Sequence, residues 1–362
     1  MRNIIDSHLD LAWNALEWKR DLTLPLDELN GREEGLSDVK FRGNATISFP
    51  EMRHGRIGLC VATLMARVPY STNKPIYSAC LDYPSHDIAY AAAQGQLAYY
   101  RQMEARGEMR ICHKVTDLDE LWSQWEVGET TDRLPPIGVI IAMEGSDGIV
   151  EPQQAEAWYD DGLRCASLVH YGCSAYAAGT GEEGPLTEAG RQLLAEFERL
   201  GIILDTTHLS DTSFFEAMDL YTGIVIASHQ NSRALVPHQR QFSDEQFRLI
   251  MEREGVIGVA FDAWMLGPGY QYGKTSRDAV DIESAADHVD HLCQMAGNVQ
   301  HVAIGSDLDG GFGTEQCPAG LDSIADLQKL DRIFSARGYS DVDIDAIFHG
   351  NWLRVLRRAL PD

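Results

Sequence analysis

Eight short, nearly continuous apolar runs recur along the chain, separated by loops and by segments whose apolar residues return at helical spacing. The runs cover residues 3–5, 57–65, 137–143, 163–169, 202–206, 224–227, 256–261 and 302–304. Runs of Val, Ile, Leu and Ala without polar alternation suit parallel strands covered on both faces. Eight such strands alternating with helices predict an α/β chain folded as a (β/α)8 TIM barrel, with a doubly wound open sheet as the rival.

The intervening segments carry helix signals. Residues 86–106 are rich in Ala, Gln, Tyr and Met, and 187–200 begins at a capping Thr and stops before Gly201. Ser243-x-x-Gln246 has capping-box form. Further helices are expected over 281–296, 324–336 and 342–360. The interval 66–136 exceeds one strand–helix unit and is expected to add a helix or hairpin over one barrel end. With no repeat, low-complexity tract or linker, the expectation is one catalytic domain over residues 1–362, with C-terminal helices at about 324–360.

The ends of the runs hold the chemistry. The first is followed by Asp6-Ser7-His8-Leu9-Asp10, and later ones deliver Glu144, His170, His208, His229 and Asp307. In a barrel all strand C-termini open on one face, so these residues meet despite their separation in sequence. Any one of them alone is an ordinary strand-end or turn residue; the shared register is what points to a site. Imidazole with carboxylate selects zinc or a related first-row ion over calcium and magnesium. In extended backbone His8 and Asp10 project to the same side. A carboxylate such as Glu144 can bridge two ions, and two further histidines can complete a second site.

His54, His86, His113, His288, His291, His301 and His349 show no such register. Asp287-His288 and Asp290-His291 fall on one expected helix and read as its solvated face.

Composition narrows the partners. A formal charge of −25 argues against nucleic acid, which needs a basic surface. No apolar run approaches the ~20 residues of a membrane span, and MRNIIDSHLD lacks an apolar leader core. The expectation is a cytoplasmic protein with no membrane partner. Seven cysteines without a CxxC indicate neither a zinc knuckle nor a disulfide framework.

The chain resembles the membrane dipeptidase (renal dipeptidase) family of zinc metallopeptidases. The likeness is carried by Asp6-Ser7-His8-Leu9-Asp10-Leu11-Ala12-Trp13, by Leu186-Thr187-Glu188-Ala189-Gly190-Arg191 running on to Leu204-Asp205-Thr206-Thr207-His208-Leu209-Ser210-Asp211, by Ala227-Ser228-His229 with Arg233-Ala234-Leu235, and by Ile304-Gly305-Ser306-Asp307-Leu308-Asp309-Gly310. It continues to Gly350-Asn351-Trp352-Leu353. The resemblance implies a barrel with two zinc ions per chain that cleaves dipeptides through a metal-bridging hydroxide, in a protein that forms homodimers. It implies His8 and Asp10 on one zinc, His208 and His229 on the other, and Glu144 between them. It further implies His170 as the contact to the substrate or its tetrahedral intermediate, Arg240 as receiver of the substrate carboxylate, and Asp307 or Glu144 as the proton-handling acid.

Two stretches depart from the family pattern. An Asn-Phe-Tyr-like triplet is replaced by Ala260-Phe261-Asp262, so Asp262 offers a negative charge to a substrate amine. The stretch after His170 reads Tyr171-Gly172-Cys173-Ser174-Ala175-Tyr176 in place of an Asn-containing form. Both changes spare the five ligands and bear on the substrate. A small-molecule amide, such as an N-acyl amino acid, is therefore the alternative substrate class, and a non-catalytic metal- or ligand-binding barrel is the alternative outside enzymology.

Overall fold

The structure, a computed structural model, describes residues 1–70, 81–127 and 135–362. Nine strands carry the fold: β1 Ile4–Leu9, β2 Ile57–Leu64, β3 Met109–Ile111, β4 Ile137–Met143, β5 Leu163–Ala166, β6 Ile203–Asp205, β7 Val225–Ile226, β8 Ile257–Val259 and β9 Val302–Ile304. All strand pairs are parallel, in the order β1-β2-β4-β5-β6-β7, and β8 pairs with β9. A parallel bridge from Ala227 to Ile257 joins β7 to β8. The eight strands other than β3 thus form the curled parallel sheet of a (β/α)8 barrel, as the apolar runs predicted.

Side chains of β1 close the ring against β9. Asp6 Oδ1 accepts from Ser306 N at 2.8 Å, and Ser7 Oγ donates to Ile304 O at 3.1 Å. The C-terminal segment covers this seam: Trp352 Nε1 donates to Ile304 O and Asn351 Nδ2 to Val302 O. Close approach there requires glycine. A Cβ on Gly305 would lie 1.8 Å from Ser228 O, and one on Gly258 2.1 Å from the same atom.

Every residue of the barrel strands is buried, which accounts for the continuous apolar runs. Several strands are shorter than the apolar runs by one or two residues at an end, as β8 is against 256–261, and two differ more. β1 runs on through Asp6 and His8, because a polar residue aimed into the barrel does not interrupt the backbone ladder. β5 stops at Ala166, short of residue 169, where the chain turns inward toward His170.

The interval 66–136 holds the helix His86–Ala105, β3 and the helix Val115–Val127. Its residues 71–80 and 128–134 lie outside those described. β3 adds to the lower half of β4 (Met109 opposite Ile137), while β5 pairs with the upper half (Ile141 opposite Leu163). The helix Glu188–Leu200 is capped by Thr187, whose hydroxyl accepts from Gly190 N, and ends at Gly201 with φ 74°. Ser243 and Gln246 form the expected capping box. The last helical stretch is broken by a π-helical turn at Ala346–Gly350, between Asp341–Asp345 and Asn351–Ala359.

One histidine expectation is overturned. His288 lies on the buried face of the helix Glu283–Ala296, where its Nδ1 accepts from Ser232 N at 3.0 Å. A helix-face pattern cannot tell an imidazole in water from one that satisfies a buried amide. Its neighbour His291 contacts Asp244 at 2.8 Å. No helix among the described residues is long and apolar enough to cross a membrane.

Candidate metal centre and active site

The C-terminal ends of the strands and the loops beyond them bring seven predicted side chains together. Glu144, just beyond β4, is the hub. Its Oε2 lies 3.5 Å from His8 Nε2, while its Oε1 lies 3.1 Å from His208 Nε2 and 3.4 Å from His229 Nε2. His170 Nε2 stands 3.8 Å from Oε1. On the other flank His8 Nε2 is 3.8 Å from Asp10 Oδ1 and 3.9 Å from Asp307 Oδ1. Two of these residues are held in left-handed backbone, His208 at φ 71° and Asp307 at φ 57°. Non-glycine residues take that conformation at a cost, and they do so mostly at functional sites.

A second set of polar residues aims the first. Ser228 Oγ donates to Asp205 Oδ2 at 2.5 Å, leaving its lone pairs for His229 Nδ1 at 2.9 Å and His8 Nδ1 at 3.3 Å. Asp205 is itself fixed by Thr207 N and Ser228 N. Thr180 Oγ1 meets His208 Nδ1 at 2.9 Å, and Thr63 Oγ1 donates to Asp10 Oδ1. Each Nδ1 engaged in this way turns its Nε2 toward the centre, the arrangement metal-binding imidazoles need. Sequence reasoning singled out none of these partners. Ser228 and Asp205 adjoin candidate ligands, but Ser and Asp in a strand carry no spacing signal of their own.

The electrostatics call for cations. Burial works against ionising Glu144, yet His8, His170 and His208 hold its carboxyl well below the usual range. Burial and the charge of Glu144 push Asp10 up to about 7, and burial holds Asp307 well above its ordinary value. Burial alone would lower His8, but Glu144, Asp10 and Asp307 raise it to about 10. Three acids this close cannot all ionise without positive partners. His8 Nε2, Asp10 Oδ2 and Glu144 Oε2 are moreover buried with no hydrogen-bond partner. Imidazole nitrogens and carboxylate oxygens left free at one point fit a divalent metal. Ligand atoms within 4.8 Å of one another group as His8, Glu144 and His229, as Glu144, His170 and His208, and as His8, Asp10 and Asp307.

The centre lies at the floor of a cavity of about 140 Å³. Trp13, Met65 and Leu81 form an apolar wall, and Arg240, Asp262 and Trp264 stand in the lining as well. Tyr171 is 42% exposed and packs over His170 and His208, with ring centroids 4.8 and 5.2 Å away. Arg240 is buried, not a surface residue: Nη1 donates to Gln230 Oε1 and Nη2 to His229 O at 3.1 Å. Asp262 caps the short helix Ala263–Leu266 and accepts from Gln316 Nε2 at 2.6 Å; burial pushes its carboxyl up to about 7. All nine predicted site residues therefore surround one cavity or its floor.

Histidines and carboxylates converging at the open end of a parallel barrel define a metal-dependent hydrolase. The chain belongs to the membrane dipeptidase family (peptidase family M19), whose model matches residues 2–360. It is 29% identical over 274 residues to an uncharacterized protein in the pqqA 5′ region of Klebsiella pneumoniae, covering 72% of this chain and 94% of that protein. It is 30% identical over 205 residues to the dipeptidase tcpJ of Claviceps purpurea, covering 54% of this chain and only 44% of that one. Among solved structures, the metallopeptidase dipeptidase AC superposes with a TM-score of 0.77 at 25% identity, over 100% of this chain and 99% of that chain. A Rhodobacter sphaeroides metallopeptidase, bound to a phosphinate mimic of L-Ala-D-Ala, gives 0.78 at 24% identity over 99% of both chains.

Proposed function

We propose that the chain hydrolyses the peptide bond of dipeptides at a centre of two zinc ions, as a single catalytic domain. The observation that carries this reading is the split of Glu144, with one oxygen toward His8 and the other toward His208 and His229. Asp10 would join His8 on one ion, and His208 with His229 would hold the other. When bound, such a pair supplies Lewis acidity for the scissile carbonyl and an activated water.

The remaining steps belong to the side chains. Burial lowers His170 to about 4, so it is neutral at pH 7 and donates a hydrogen bond to the oxyanion that develops on the attacked carbonyl. Asp307, kept protonated by burial, delivers a proton to the leaving amine, with Glu144 as the alternative carrier. Among the described residues no carboxylate lies within ion-pair distance of Arg240; Nη1 and Nη2 each donate once to a neutral oxygen, which leaves the charge and the remaining N–H groups to a substrate carboxylate. Asp262 offers the opposite charge to a basic group of the substrate. An N-acyl amino acid would satisfy Arg240 equally, so turnover decides between the two substrate classes.

Purified protein is expected to carry about two zinc-like ions per chain and to release amino acids from dipeptides, including some with C-terminal D-residues, in a chelator-sensitive way. Zero metal after growth in replete medium would sink the site assignment. Cleavage of N-acyl amino acids alone would replace the dipeptide reading.

A further inference from the structure

A buried guanidinium and a buried carboxyl line the same cavity without an ion pair between them. Arg240 is 3% and Asp262 6% exposed. Among the described residues neither forms an ion pair within 4 Å; each is held by a neutral amide, Gln230 for Arg240 and Gln316 for Asp262. Burial disfavours the ionised form of Asp262, and a ligand cation seated beside it would restore that charge as a ligand carboxylate would match Arg240.

Their place in the barrel says which part of the ligand brings them. Arg240 follows β7 and Asp262 follows β8, neighbours around the ring. Of the apolar lining, Trp13 and Met65 follow β1 and β2, and β2 stands opposite β7 in the eight-strand ring. A dipeptide lying across that centre with its carboxylate on Arg240 puts its C-terminal residue beside Asp262. Its own α-ammonium lies beyond the scissile carbonyl, in the half facing the apolar wall.

Resting on the dipeptidase reading, we infer that Asp262 makes the leaving-residue subsite selective for a cationic side chain, so that the preferred substrates are dipeptides with an apolar or small first residue and a C-terminal Lys- or Arg-type residue. The half-buried Trp264, next to the acid in the lining, offers a flat apolar surface for the methylenes of such a side chain.

The test compares kcat/KM on Ala-Lys and Ala-Arg with the neutral, similarly long Ala-Met and Ala-Gln, and with the reversed Lys-Ala. Wild-type protein is expected to favour Ala-Lys over Ala-Met at least tenfold, and Asp262→Asn to bring that ratio close to one. A measurement independent of any variant is product inhibition, where free lysine should act at least tenfold more strongly than norleucine. Equal turnover of Ala-Lys and Ala-Met by wild type, or preference for Lys-Ala, overturns the subsite while leaving the dipeptidase reading in place. Failure to cleave any dipeptide overturns both.

Discussion

Ser228 stands behind the imidazoles of His8 and His229, and its hydroxyl, anchored on Asp205, is what holds their Nδ1 atoms. Replacing it with Ala should weaken metal binding about 10- to 100-fold, read by competition with a chelating dye, because the rings lose the contact that fixes tautomer and tilt. Unchanged affinity would mean that packing alone orients them. Arg240→Ala should raise KM for substrates with a free carboxylate far more than for the corresponding amides; equal effects would remove its role as carboxylate receiver. These residues differ in how readable they are from sequence. His8, Glu144, His208 and His229 announce themselves because ligand-type residues end successive apolar runs. Ser228, Thr180 and Thr63 do not, since a hydroxyl becomes significant only through the ring it touches, and that partner lies as far as 220 residues away.

At the scale of elements, β7, β8, β9 and β1 approach one another so closely that two glycines are obligatory. Gly305→Ala would set a Cβ 1.8 Å from Ser228 O and 2.6 Å from Ser7 Oγ. Backbone cannot yield as a side-chain tip does, so a loss of about 3 kcal/mol or more is expected in urea unfolding. A loss below ~1 kcal/mol would show that the strands can part. The helix Glu283–Ala296 carries a different liability. Burial lowers His288 to about 4, against roughly 6.5 for a free imidazole. Its folded value lies below the unfolded one, so the unfolded chain takes up the proton first as pH falls. The contribution of His288 is therefore intact above about 6.5 and drains away toward pH 4, by about 3 kcal/mol at most. His288→Gln should remove that part of the acid slope in pH-dependent unfolding; an unchanged slope would assign acid sensitivity elsewhere. Neither feature follows from periodicity. A strand glycine signals only some close approach, and helix spacing does not tell which of His288 and His291 faces inward.

Taken whole, the molecule is an acidic barrel whose interior gathers carboxylates and imidazoles at one mouth. Cations there stabilise the folded form by mass action, so stripping metal with a chelator should lower the melting temperature by several degrees, reversibly on adding zinc. Identical melting of stripped and loaded protein would mean that the cluster binds no metal of consequence. The barrel itself could be read from the eight apolar runs because parallel strands buried on both faces leave an unbroken hydrophobic trace, as in β2 and β4. β3 could not: it is three residues long, with Arg110 at its centre, and its place beside β4 depends on a partner and not on its own pattern.

The seam between β9 and β1 has a bearing on how the protein is made. β1 is made before the other strands of the barrel, yet the groups that lock it come from residues 304–306, and the covering Asn351 and Trp352 come later still. Arg2, near the start of the chain, is pinned by Asp331 and Asp345 near its end. A growing polypeptide therefore pairs β1 with β2 long before β9 exists to seal its other edge, and the ring can close only once residues 302–306 have been made.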